Sequence, residues 1–434
     1  MQSIKYYEMT ENDKQQDIKY DPSCMDDYDP ASMDAQIAQQ HILHQIKPLT
    51  ETETVPIREA LHRVLAEDIH STINVPSHTN SAMDGYAICG EDIPSSGHCS
   101  LRLIGTAWAG LPFQNNVMPG ECVRIMTGAV MPNNTDTVVM QEHVEVSDKQ
   151  VTIDAKQKIN QNVRQAGEDI AQGELVFKAG RYCHPADIGL IASLGISDVK
   201  VYRKPVVAFF STGDELVSIG TELKEGQIYD SNRYTLWSML SRLGVDINDL
   251  GVIRDTPEAV EAAFKQASEN ADVVITSGGV SVGDADFVKD TLEKLGEVNF
   301  WKVAMKPGRP LAFGMINDAY FFGLPGNPVS VMVTFYIFVQ AAIEKMMGCE
   351  PKPRIQIQAI SNSDLRKRPG RVEYQRGTYH INSHGQYEVS KTGQQGSGIL
   401  RSMSDANCFI YLPMESSGIA QGEYVEIWPF DSFI

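Results

Sequence analysis

The sequence predicts a multidomain α/β and β protein. A doubly wound, mostly parallel sheet is flanked by a discontinuous N-terminal α/β region, a β-rich domain and a C-terminal β-barrel. Three observations carry this reading. From Lys204 onward, apolar strand-like runs alternate with amphipathic helical runs, the signature of a parallel sheet with crossover helices. From Ile69 to Val151, and again from Pro351 to Ile434, short alternating runs are broken by Gly, Pro and Asn, as in sandwiches and small barrels. Finally, 434 residues are too many for one ordinary domain.

Taken in order, residues 1–31 are polar and acidic without an apolar core segment, which reads as a flexible tail and not a signal peptide. A helix is expected from a Ser32 cap through "MDAQIAQQHILHQIK", and a second short helix over "IREALHRVL" after Pro56. Residues 32–68 are expected to join 152–203 in one discontinuous domain around the β-rich residues 69–151. In the α/β domain, 204–350, "PVVAFFSTGDEL" reads as a strand and a polar turn, and "VDINDLGVI" and "ADVVITSGG" read as strands. "SNRYTLWSMLSRLG" reads as a helix stopped by Gly244, and "TPEAVEAAFKQASEN" as a helix capped by Thr256 with Pro257 in its first turn. "DFVKDTLEKLG" is a further helix, "PLAFGMI" and "YFFGLPG" are further strands, and a long apolar helix starts near Asn327-Pro328. Residues 351–434 form the barrel.

Composition narrows the function. With 42% hydrophobic and 21% charged residues the chain builds a normal core. A net charge of -19 argues against a nucleic-acid backbone or an anionic membrane as partner. The longest apolar run, Val329 to Val339, is shorter than the roughly 20 residues that span a bilayer. Seven scattered cysteines without a CxxC pair read as reduced, cytoplasmic thiols. His41 and His44 share a helix face, but no further ligand stands at metal-site spacing, so they read as surface residues.

Chemistry concentrates where strands end. Ligands of doubly wound sheets bind beyond the carboxyl ends of the strands. Three polar loops fall there: "STGDEL" (211–216), "TSGGVSVGDADF" (276–287) and "GLPGNPVS" (323–330). In the middle loop, Ser277, Gly278, Gly279 and Ser281 offer backbone N–H groups and hydroxyls to an anion. Asp284 and Asp286 would repel a phosphate unless a cation bridges them. Mg²⁺ suits that role, taking carboxylate and phosphate oxygens together, with Asp214 and Glu215 as further donors. Matching of acids to a helix N-terminus explains them as well. In "WKVAMKPGRPLAF" (301–313), Lys302 and Lys306 lie an even number of residues apart, so one continuous strand would point both to the same side, with Arg309 following the turn. An oxyanion site and a solvated basic edge both fit. In "RKRPGRVEYQRG" (366–377), Arg371 and Arg376 read as surface charge, with an anion contact alongside Ser397 of "GQQGSGIL" as the alternative.

The series "NSAMDGYA", "IMTGA", "GED", "STGDEL", "SGGVSVGDADF", "KPGRP" and "GLPGNPVS" resembles, in order, the molybdopterin molybdenumtransferases, the MoeA-type family related to the C-terminal domain of gephyrin. The resemblance covers roughly Ser32 to Phe430. It implies a molybdopterin-binding type of sheet domain and a Mg²⁺-dependent reaction in which molybdate enters the dithiolene of adenylylated molybdopterin and AMP leaves. It also implies a cytoplasmic homodimer with an active site shared between subunits, small-molecule substrates, and contact with other molybdenum cofactor biosynthesis proteins. By resemblance, Asp84 and Thr127 reach the site of the partner subunit, and Asp169 belongs to the GED motif. Glu215, Asp255, Asp286, Lys302 and Lys306 match catalytic positions, with Glu215 and Asp286 on the metal. Arg309, Ser330, Arg376 and Ser397 match positions that hold molybdate. Pro325, Gly326, Asn327 and Pro328 complete the substrate-binding loop. Arg309 stands where many relatives have Lys, which keeps the charge and changes the hydrogen-bond geometry.

Two other readings are compatible with parts of this pattern. A molybdopterin adenylyltransferase shares the sheet domain but needs no flanking domains, and would form the adenylate from ATP. A gephyrin-like scaffold would keep the fold and bind peptides.

Overall fold

Regular structure begins at the helix Ala35–Gln45 (α1). Its cap is Asp34, whose carboxylate accepts the N–H groups of Gln36 and Ile37. The expected Ser32 cap is therefore displaced by two residues, because Met33 is extended and donates its N–H to the carbonyl of Lys302. The computed structural model describes residues 32–278, 291–292, 294–349 and 354–433. The acidic tail, most of the helix expected over "DFVKDTLEKLG", and Gly279, Ser281, Asp284 and Asp286 lie outside them.

The described residues divide into two compact units, one of residues 53–201 and one of residues 32–52 with those from 202 onward. The first is mostly β. Its six-stranded sheet runs in the order Thr137–Met140, Gly85–Ile88, Glu121–Ile125, His98–Ala107, Gln150–Asp154, Glu145–Ser147. Apolar residues line both faces: Tyr86, Ile88, Leu101 and Val139 on one, Ala87, Val123, Ile125 and Val138 on the other. A smaller core gathers Val55, Ala60, Leu65 and Val201 around Ile191 of the helix Pro185–Ser193 (α2). The helix expected over "IREALHRVL" is only a 3₁₀ turn, Ile57–Ala60. His62 takes a positive φ of 63°, and Val64 and Leu65 then pair with Tyr182 and Val201. Backbone pairing outcompetes an apolar helical pattern too short to nucleate a stable helix.

The second unit holds the sheet that organises the site. Strand order is Asp246–Ile253, Val206–Thr212, Val273–Ser277, Ala319–Leu324, Pro310–Ile316, Gly296–Lys302. The first four are parallel and the last two antiparallel. Strand order reverses at Val206–Thr212, which places a crevice beyond Thr212 and Ser277. Helix Ser231–Leu243 (α3) is capped by Asp230 and ends at Gly244, whose φ of 72° suits glycine. Helix Pro257–Glu269 (α4) is capped by Thr256 and lays Val260, Ala263, Phe264 and Ala267 on the sheet face formed by Ala208, Phe210, Val274 and Phe321.

Helix Pro328–Met346 (α5) is long and apolar enough to cross a bilayer, yet most of it is buried within the fold. Its apolar run extends beyond Val339 once the small residues Ala341 and Ala342 are counted. Beyond it, the strands Val372–Ile381, Tyr387–Lys391, Ile357–Ser361, Tyr424–Pro429 and Cys408–Leu412 form a sheet that closes through pairing of the first with the last, giving a five-stranded barrel. Leu365, Val389, Ile410, Leu412 and Ile427 fill it. All six described cysteines are unbridged. Burial pushes the Cys122 and Cys408 thiols up to about 12, which keeps them protonated and unreactive at neutral pH.

Candidate active site

The sheet unit brings two glycine-bearing turns together at the crevice. Gly278, at φ 95°, follows Ser277, and a Cβ added there would lie 2.9 Å from the carbonyl oxygen of Thr212. Its N–H bonds the carbonyl of Leu324 at 3.1 Å, tying this turn to "GLPGNPVS". A Cβ on Gly326 would in turn come 3.8 Å from the Gly278 Cα. Only glycine allows this close approach of strand ends. Asn327 then precedes Pro328 at the start of α5. Ser330 is buried one turn in, and the neighbouring Val329 N–H bonds the Ser397 carbonyl at 3.0 Å. Pro325, Gly326, Asn327, Pro328, Ser330 and Ser397 are therefore neighbours.

Acid gathers on the opposite lip. The Asp255 N–H donates to the Asp214 carboxylate at 3.3 Å. Burial, then the charges of Asp214 and Glu215, pushes the Asp255 carboxyl up from its ordinary range. Glu215 folds back over Gly213, where an added Cβ would meet its carboxylate at 2.6 Å. Such like-charge crowding favours a cation. Among the described residues no three His, Cys, Asp or Glu side chains are close enough to enclose one. A Mg²⁺ ion that keeps waters and shares phosphate oxygens fits this loose set.

Lys302 and Lys306 do not share a strand. Lys302 ends Gly296–Lys302 in the α/β sheet, whereas Lys306 belongs to the two-residue strand Met305–Lys306, which pairs in parallel with Val372–Glu373 of the barrel. The same-side expectation fails because Val303 and Ala304 leave the sheet to bond Met33. Arg309 is half-buried, its carbonyl accepting the Val303 N–H at 2.7 Å.

The transfer of Lys306 to the barrel creates a cleft of about 330 Å³, walled by Lys306, Arg366, Glu373, Gln375, Arg376 and Lys391. Arg376, read from sequence as surface charge, is 1% exposed. Its Nε donates to Ser402 Oγ at 3.1 Å and its Nη2 to the Gly396 carbonyl at 3.1 Å. Both partners are neutral. Burial lowers its pKa to about 10, against the smaller opposing pull of Glu373, so it stays charged at neutral pH. Five N–H bonds with two used leave donors for a ligand. Glu373 is buried as well, 3.5 Å from Lys306 and within hydrogen-bond reach of Gln375. Four cations against one acid give the cleft a net positive charge that suits an anion.

In the other unit, Asp84 precedes Gly85–Ile88 and its Oδ1 accepts both the N–H of Thr127 at 2.7 Å and its hydroxyl at 2.8 Å. These bonds, the backbone one first, hold the Asp84 carboxyl below the ordinary range. A depressed carboxyl contributes above its unfolded pKa and loses that contribution as pH falls through its folded value. A carboxyl titration by NMR is expected to give Asp84 a midpoint below that of an ordinary aspartate. Thr127→Val should raise it only part of the way, because the backbone N–H survives. Asp169 lies on an exposed turn of this unit, its N–H bonded to the Val75 carbonyl at 3.0 Å.

Two polar residues at the crevice escaped the motif reading. Asn232, in the first turn of α3, donates through Nδ2 to Ser277 Oγ at 2.9 Å and to the Gly326 carbonyl at 2.6 Å, and Asp230 caps the same helix. The run "YDSNR", which opens α3, was the available signal.

Comparison with known proteins accounts for nearly the whole chain. Residues 33–195 match the MoeA N-terminal region (domain I and II), 208–345 a probable molybdopterin binding domain, and 358–430 the MoeA C-terminal region (domain IV). A molybdopterin molybdenumtransferase of Haemophilus influenzae is 47% identical over 92% of this chain and 98% of its own length. One from a Nostoc species is 38% identical over 86% of this chain and 88% of its own. The gephyrin of Dictyostelium discoideum is 36% identical over 87% of this chain and 59% of its own. The crystal structure of the molybdopterin biosynthesis MoeA protein from Pyrococcus horikoshii superposes with a TM-score of 0.80 at 30% identity, covering 92% of this chain and all of that one. The chain belongs to the molybdopterin molybdenumtransferase (MoeA) family.

Proposed function

We propose that this protein inserts molybdate into adenylylated molybdopterin and releases AMP, completing the molybdenum cofactor. The observation that carries the reading is the cleft in which a fully buried Arg376, hydrogen-bonded to Ser402 and Gly396, stands with Lys306, while Ser397, next to Gly396, bonds Val329 at the start of α5. Molybdate, a tetrahedral dianion, takes Arg and Lys donors, and Ser330 and Ser397 stand where the chain passes from crevice to barrel. The crevice at Ser277–Gly278 and Leu324–Asn327 takes the adenylylated pterin. Gly279 and Ser281 extend that loop beyond the described residues.

This chain's residues act by positioning and electrostatics. Arg376 and Lys306 orient the oxyanion and offset the charge that builds as its oxygens are exchanged for sulfur. Lys302 and Arg309 add positive charge along the same stretch. Glu215 and Asp255, with Asp286, would hold Mg²⁺, which when bound neutralises the phosphates and polarises the anhydride. Asp84 and Thr127 form one locked unit that is presented to the site of the partner subunit in a homodimer, with Asp169 on the same arm. The working compartment is the cytoplasm. The flanking regions on both sides of the sheet domain argue against an adenylyltransferase, which needs that domain alone.

The test is to incubate the chain with adenylylated molybdopterin, molybdate and Mg²⁺, following AMP release and activation of an apo-molybdoenzyme. AMP release that depends on molybdate supports the reading, and adenylate formation from ATP and molybdopterin overturns it. Chelation with EDTA should abolish turnover and added Mg²⁺ restore it, while Glu215→Gln should raise the Mg²⁺ needed for half-maximal rate by about tenfold.

A further inference from the structure

One corner of the crevice is built and left unsatisfied. Asp230 is 2% exposed. Its Oδ1 accepts the Arg233 N–H at 3.1 Å, but its Oδ2 is buried and has no hydrogen-bond partner among the described residues. Asn232 Oδ1 is buried and unpartnered in the same way. The orientation of that amide is fixed: the Gly326 carbonyl, 2.6 Å away, can only accept, so Nδ2 must face it and Oδ1 must point elsewhere. Ser211 Oγ, on the strand position in register with Ser277, is a third buried oxygen without a partner among the described residues. Buried polar atoms are nearly always paired, so several orphans at one strand-end corner mark a place for a ligand. An aspartate oxygen and an amide oxygen both accept, which selects a ligand edge made of N–H donors and rejects another anion.

We propose that Asp230 and Asn232 are specificity residues of the sheet crevice: their two orphaned oxygens take the N–H donors on the amino-pyrimidinone edge of the pterin. Such an edge carries a ring N–H and an exocyclic amino group side by side, a donor pair for two acceptors that stand two residues apart at the start of α3. This rests on the reading above that the crevice, which lies within the molybdopterin-binding region 208–345, holds the adenylylated pterin. The same acceptors would also suit the adenine amino group, and the experiment separates the two rings.

Equilibrium binding of molybdopterin and of AMP, measured anaerobically on the full chain, compares wild type with Asp230→Asn. Asparagine caps a helix as well as aspartate, so α3 keeps its start while the free acceptor is lost or becomes a donor. Molybdopterin affinity is expected to fall by about 10- to 100-fold, with AMP changed by less than about twofold. Loss of AMP binding with molybdopterin unchanged would assign the pair to adenine and overturn the proposal. No change in either would leave the corner to water and overturn it equally. A ligand-side arm needs no variant: wild type should bind a pterin better than the same pterin lacking its 2-amino group, and equal affinities would sink the idea even if Asp230→Asn fails to fold. Should wild type bind no molybdopterin at all, the functional reading itself fails, an outcome distinct from these.

Discussion

Replacing Arg376 with alanine is expected to lower molybdate-dependent cofactor formation by about a hundredfold to a thousandfold, the cost of removing one preorganised donor from an oxyanion site. The guanidinium is fixed from behind by Ser402 and Gly396, so its remaining N–H bonds are aimed before any ligand arrives. Among the described residues no acid holds it in an ion pair of its own: Glu373 pairs with Lys306 at 3.5 Å. Arg376→Lys should recover only part of the rate, since an ammonium keeps the charge but cannot bond both supports and a ligand in one plane. The checking measurement is steady-state turnover across molybdate concentrations. The half-saturating molybdate should rise far more than the half-saturating adenylylated pterin. An unchanged molybdate response in Arg376→Ala would remove this cleft from the mechanism. Melting curves of both variants separate this effect from loss of the barrel.

The largest stability effect is expected from Phe264→Ala. This side chain is fully buried, with ring centroids 5.1 Å from Phe210 and 5.6 Å from Phe321, both edge-on. It joins α4 to two of the central strands. Truncation should cost about 3–5 kcal/mol through lost burial and the cavity left behind. Calorimetry should show the transition of the sheet-bearing unit moving down, with the transition of unit 53–201 unmoved. A shift of both together would mean that the chain unfolds as one cooperative body.

The sheet was legible because its signals are local. Apolar runs such as "DVVITS" report buried parallel strands, and Thr256-Pro257 and Gly244 mark helix ends by their own backbone chemistry. What failed was long-range. Nothing near Arg376 tells that Val372–Ile381 pairs with Cys408–Leu412 and seals the guanidinium inside. The spacing of Lys302 and Lys306 assumed one strand, and Met33, about 270 residues away in sequence, interrupts it. Asp230 and Asn232 look like an ordinary helix start. Their importance appears only when Gly326 and Ser277 arrive beside them.

The parallel pairing of Met305–Lys306 with Val372–Glu373 has one further consequence. A shortened chain that stopped after α5 would retain the strand-end loops of the sheet, yet Lys306 would hang from an unpaired tip and its cleft would lose the wall that carries Glu373 and Arg376.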